Sequence, residues 1–298
     1  MNILVIGGAG FLGSHLVDRL IAEGNKVDVV DDLSGGSLAN LAEARAAGGA
    51  LKIHTLDVLA EEFAALTAMR PPDVMYHLAW LPPGRGAPVQ AGRAMQGIIA
   101  VLEAARLQAA KVVTALPGAA LYGDVPLRDL PIKEGHAWTP VGLHGVLGKA
   151  VVDLLNMYRA DHTVEFTALA MSTIYGPRQR ADGGVVGAFA HALRSDSSPV
   201  IHGDGRQTRD FLYVDDAVDA LVRAGSRGGG LVVNIGSGVG TSIRDLWTLM
   251  AGPSAHEPKA APRHANDISW FALSPTRARI HLAWAPFTDL SVGLRSLG

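Results

Sequence analysis

Residues 2–31 read NILVIGGAGFLGSHLVDRLIAEGNKVDVVD. A short apolar run, Asn2 to Ile6, breaks into Gly7, Gly8, Ala9 and Gly10. Leu12 to Ala22 then repeats its apolar residues at helical spacing, and a second apolar run, Lys26 to Asp31, ends in acid. The order is strand, glycine turn, helix, strand. Glycines at 7, 10 and 13 make a GxxGxxG turn in the context that gives it meaning. They let the backbone turn tightly, and with Phe11 and Leu12 they open a helix whose N-terminal N–H groups can face a pyrophosphate. Asp31 falls about 20 positions after the last glycine, where a carboxylate binds an adenosine ribose. An acid there repels a 2'-phosphate and favours NADH over NADPH. Asp32 and Ser34, with Gly35 and Ser37 behind them, stand close enough to shelter such a phosphate, so NAD(P)H is expected with NADH preferred.

Working outward, apolar runs at 51–55, 74–78, 111–114, 165–171 and 232–235 alternate with helical patterns at 38–46, 60–69, 93–107 and 146–160. Near-continuous apolar strands separated by helices predict an α/β fold, a Rossmann-like doubly wound parallel sheet. After about Gly176 the rhythm loosens into Gly-, Pro- and Ser-rich stretches. A dinucleotide core over 1–175, with return segments near 209–236, and a smaller substrate lobe over 176–208 and 237–298 are expected.

The 298 residues carry 26 Lys and Arg against 28 Asp and Glu, a net charge of −2. No basic field exists to hold nucleic acid or an anionic membrane, and no apolar run approaches the roughly 18 residues a membrane span needs. A cytoplasmic protein acting on a small molecule is expected. The chain has no cysteine, which removes disulfides, thiolate metal sites and thiol nucleophiles together. The histidines show no HExxH spacing, so no metal site is expected.

Further motifs carry a resemblance. Asp57 and Val58 follow the third strand. Tyr76, His77, Leu78, Ala79 and Trp80 resemble an hHxAA segment, Tyr175 to Gln179 read YGPRQ, and Gly203 to Phe211 with Val214 to Asp216 follow GDGxQxRDFxxVDD. In this order the chain resembles the extended short-chain dehydrogenase/reductases, the NAD-dependent epimerases and dehydratases. The resemblance implies adenine contacts from Asp57 and Val58, nicotinamide-side contacts from Leu78, Ala79 and Trp80, and a diphosphate role for Arg209. An ion pair of Arg209 with Asp210 or Asp215 is the competing reading. Family members pair through two long helices, here 93–107 and 146–160, which implies a homodimer. Val151, Leu154, Leu155 and Tyr158 suit packing on the sheet equally, which leaves the oligomeric state open.

At the reaction centre the chain departs from the family. The tyrosine four positions before Lys149 is Gly145, and the serine or threonine four positions before Tyr122 is Gly118. Position 173, usually the asparagine that meets a substrate diphosphate, is Thr173. The remaining candidates for catalysis are Lys149, whose family role is to hold the nicotinamide ribose, His144 beside the missing phenol, and the hydroxyl of Thr114. Two glycines in place of side chains predict a roomy pocket walled by Leu81, Arg85, Leu116, Pro117 and Trp138, fit for a flat ligand. Members lacking the tyrosine are atypical, and the pattern looks most like the ketoreductases that tailor aromatic, angucyclinone-type polyketides in antibiotic biosynthesis. The expectation is therefore reduction of a polyketide ketone, with hydride from nicotinamide and the proton from the substrate itself. A non-catalytic NAD(P)-binding sensor or scaffold, and a nucleotide-sugar epimerase or dehydratase with a displaced acid, are the alternatives.

Overall fold

The computed structural model describes residues 1–80, 88–252, 256–264 and 267–297. In chain order the elements are β1 (Asn2–Ile6), α1 (Phe11–Ala22), β2 (Lys26–Asp31), α2 (Ala42–Ala46), β3 (Leu51–Thr55), α3 (Glu61–Met69), β4 (Val74–His77), α4 (Pro88–Gln108), β5 (Lys111–Pro117) and α5 (Gly118–Tyr122). There follow α6 (Gly142–His162), β6 (Phe166–Met171), β7 (Thr173–Tyr175), α7 (Val185–Arg194), β8 (Val200–His202), β9 (Thr208–Tyr213) and α8 (Val214–Ser226). The last are β10 (Leu231–Ile235), β11 (Gly240–Ser242), α9 (Ile243–Ala251), β12 (Lys259–Ala261), α10 (Thr276–His281) and α11 (Leu290–Arg295).

The expected sheet is present. Seven strands lie in the order β10-β6-β5-β4-β1-β2-β3, and the pairs β1–β2, β1–β4, β2–β3 and β4–β5 are all parallel. β4 and β6 are buried along their whole length, which is why they carry apolar residues without alternation. Strand order reverses between β1 and β4, the switch point at which open α/β sheets bind ligands beyond their carboxyl ends. Element edges differ from the periodicity in places. β5 runs on to Pro117, α4 and α6 begin earlier, at Pro88 and Gly142, and the 38–46 segment is a 3-10 turn (Leu38–Leu41) followed by α2. That turn starts where Ser37 accepts a hydrogen bond from Ala39 N, the local competition by which serine begins a helix rather than continuing one.

The chain divides into two compact units, along a boundary drawn differently from the expected one. The first comprises Met1–Leu116, Leu147–Leu169 and Val218–Val233, and the second Pro117–Val146, Ala170–Ala217 and Asn234–Gly298. The expected core therefore loses 117–146. Hydrogen bonds from Ile132 N to Ala272 O, Ser274 N to Ile132 O and Asn234 Nδ2 to Ile132 O tie that stretch to late parts of the chain. Within the second unit β9 lies between β11 and β7, and β8 pairs with β12. Its core gathers Tyr175, Phe189, Phe211, Leu246 and Trp247. No helix among the described residues is long and apolar enough to cross a membrane.

Candidate functional site

In the first unit the glycine turn is as tight as its spacing predicts. Gly7 has φ 79°, in the left-handed region that L side chains avoid. A Cβ on it would stand 2.9 Å from Ala79 N, and one on Gly13 would fall on the Gly7 carbonyl oxygen. β1 and the segment after β4 thus meet backbone to backbone. Gly10 caps α1 in extended conformation with no side chain on the helix end, which leaves that end open to an anion.

Asp31 is buried, and both its oxygens accept backbone hydrogen bonds, from Ala9 N and from Leu33 N at 2.8 Å each. Burial raises its pKa, against those two N–H groups. The carboxylate therefore shapes the turn. Asp32 accepts from the backbone and hydroxyl of Ser34. Asp57 accepts from Leu59 N and forms an ion pair with Arg93. These groups line a cavity of about 410 Å³ with Gly7, Val58, His77, Ala79 and Trp80.

His77 is buried, and burial lowers its pKa to about 4, so the ring is neutral at physiological pH. The Trp80 ring stands edge-on to it at 6.1 Å. The Trp80 indole nitrogen is buried with no hydrogen-bond partner among the described residues. Leu78 N donates to Ile6 O at 2.9 Å, and Phe11 packs edge-on to His15. A cradle that any Cβ would fill, an open helix end and an unpaired buried donor fit a dinucleotide diphosphate.

The catalytic candidates fare unequally. Thr114 is fully buried and its hydroxyl donates to the His77 carbonyl at 3.0 Å. Lys149 is about half exposed and pairs with Asp153 at 2.7 Å. His144 is half-buried in the first turn of α6.

The second unit corrects the roomy pocket. A Cβ on Gly145 would fall on the Ala120 carbonyl oxygen, and one on Gly118 would stand 2.6 Å from the Met171 carbonyl oxygen. Backbone fills both positions. Leu116, expected in the pocket wall, is 1% exposed and belongs to the core of the first unit. Pro117 precedes α5 as its N-cap residue, and Trp138 packs edge-on to Tyr122. Thr173 opens β7 in register with Phe211. Leu81 and Arg85 lie outside the described residues.

Arg209 is paired, but with neither aspartate expected. Its guanidinium donates to the carbonyls of Thr208 and Ile268 and forms an ion pair with Asp267. Asp210 instead is fully buried and accepts from Ser237 N, Ser237 Oγ, Gly238 N and Leu273 N. Arg263 shares Asp267, approaching its carboxylate at 3.6 Å and donating to its carbonyl at 3.0 Å. Sequence reading missed this second arginine. Its only signal was Arg263 four positions before an acid in a loop-like stretch. Also missed was Ser172, the first residue past β6, nine-tenths buried with its hydroxyl unpartnered among the described residues.

Fold and site together define a dinucleotide-binding α/β protein. The sequence model of the NAD dependent epimerase/dehydratase family matches residues 3–236, and the chain belongs to that family. It is 38% identical to the UDP-glucose 4-epimerase of Mycolicibacterium smegmatis over 99% of this chain and 96% of that one. Among solved structures it resembles the UDP-glucose 4-epimerase of Thermotoga maritima with UDP-glucose (TM-score 0.91, 31% identity, covering 100% and 97% of the two chains). It also resembles the UDP-glucose 4-epimerase of Thermus thermophilus in complex with NAD (TM-score 0.88, 26% identity, covering 100% and 97%). These findings overturn the aromatic-polyketide ketoreductase, and the antibiotic pathway with it. The three relatives named here, each matched nearly end to end, are UDP-glucose 4-epimerases, and backbone occupies the space that reading required.

Proposed function

We propose that this chain is an NAD-dependent enzyme acting on a nucleotide sugar, of the epimerase or dehydratase kind, with its general acid displaced from the family's tyrosine. The observation that carries the reading is the pair Arg209 and Arg263 on the single carboxylate of Asp267. Two guanidiniums on one acid leave a net positive charge and spare N–H donors, the chemistry that holds a diphosphate.

NAD, when bound, supplies the hydride acceptor and donor for the sugar carbon. Asp31 and the Gly7–Gly13 turn bind its adenosine and diphosphate, and Lys149 holds its nicotinamide ribose. His144, next to the vacated position 145, moves the proton, and Ser172 offers the substrate oxygen the hydroxyl lost at Gly118. Pairing with a second copy through α4 and α6 belongs to the same reading, supported by the exposed Ile99, Leu107 and Met157.

The test is proton NMR of UDP-glucose and UDP-galactose with NAD⁺ and the protein. Interconversion that falls about a hundredfold in His144→Ala supports the reading, the size expected on losing a general acid. One observation favours a second reading, a binder without turnover: the Ala120 carbonyl leaves no room for a side chain at 145. UDP-glucose that raises the melting temperature without being converted would select it. No conversion and no thermal shift with UDP-glucose would sink both.

A further inference from the structure

Among the described residues of the first unit one buried side-chain donor is left over. The indole N–H of Trp80 is buried with no acceptor among them, and an unpaired buried donor costs free energy that a ligand acceptor would restore. Trp80 occupies the second alanine position of the hHxAA pattern, so the donor distinguishes this chain from that pattern. Its ring is fixed edge-on to His77, and it directly follows Ala79, whose backbone nitrogen would lie 2.9 Å from a Cβ on Gly7. The indole is therefore one residue from the phosphate-cradling turn.

The charge around it sharpens the point. The cavity is lined by the acids Asp31, Asp32 and Asp57 and by a neutral His77. Among its described lining residues the one Lys or Arg is Arg93, already paired with Asp57. Apart from Arg93, the donors available here to a diphosphate are neutral N–H groups.

We propose that Trp80 Nε1–H donates to a diphosphate oxygen of the bound dinucleotide, as a fixed neutral donor in a cavity whose charged lining is Asp31, Asp32, Asp57 and the paired Arg93. The proposal rests on the family's NAD and is independent of the sugar substrate. Trp80→Phe keeps a ring and deletes the donor. Calorimetric titration should show the dissociation constants of NAD⁺ and ADP-ribose each rising about tenfold, that of adenosine unchanged, and the melting temperature within a few degrees. Unchanged constants for NAD⁺ and ADP-ribose would overturn it. Weakening of NAD⁺ alone would move the contact to the nicotinamide half and overturn it equally, and equal weakening of adenosine would show general distortion instead. Should the variant not fold, the wild-type protein decides. One of its five tryptophan indole N–H signals should move downfield with ADP-ribose and stay in place with adenosine, and no such signal would refute the assignment.

Discussion

A Cβ on Gly145 would fall on the carbonyl oxygen of Ala120. That carbonyl already accepts the backbone N–H of Val141 at 2.8 Å, so it has little freedom to retreat. Backbone, not empty space, therefore stands where a side chain at 145 would go.

Gly145→Tyr should not restore a family-like acid. Overpacking against a fixed carbonyl is expected to cost about 3 kcal/mol, lowering the melting temperature by roughly 5 °C, with no gain in turnover. Gly145→Ala should also destabilise, because the clash outweighs the helix propensity of about 1 kcal/mol that alanine brings. Thermal denaturation checks both, and a stable tyrosine variant would contradict the geometry.

Arg209→Gln and Arg263→Gln should each weaken UDP binding about tenfold and flatten its salt dependence. Isothermal titration at low and moderate salt reads both. Arg209→Gln should also destabilise the fold more, since its guanidinium is the more buried of the two and bonds two carbonyls.

His77 gives a pH dependence of definite sign. Its folded pKa, about 4, lies below its ordinary 6.5, so between those values the unfolded chain binds more protons and stability falls with falling pH. The loss should be of order 3 kcal/mol across that window. Burial raises the pKa of Asp31 and Asp210, which acts oppositely as acid is added, so the contrast between variants isolates the imidazole. Urea midpoints at pH 7 and pH 5 should differ less in His77→Asn than in wild type. An equal difference would count against a neutral, buried ring.

Asp31→Asn should weaken NAD⁺ at least tenfold, since an amide offers one acceptor where the carboxylate now serves Ala9 and Leu33. NADP⁺ should suffer less, because the charge opposing its extra phosphate is removed. Fluorescence titration with the two reduced cofactors measures the change in preference.

The first strand, its glycine turn and α1 were legible in sequence because their determinants are local: apolar runs, glycine spacing and a following acid. What stayed hidden was set by distant partners. Arg209 finds Asp267 rather than its neighbour Asp210, and 117–146 belongs with the second unit because Ile132 bonds to Ala272 and Ser274. Gly118 and Gly145 were correctly seen as absences of side chains. Whether such an absence leaves space or admits backbone depends on what lies opposite, and one-dimensional pattern carries no such information.

Arg209 and Asp210 are consecutive on β9, so their side chains point to opposite faces of the strand. One takes hold of Asp267 and the other of Leu273 N. Two adjacent residues thus clasp both ends of one short stretch, from the arginine's anionic partner to the buried backbone amide. Loosening either grip should be felt at the other, so a substitution at buried Asp210, with no ligand contact of its own, would misalign Arg209 and Arg263 and read out as lost affinity for an anion.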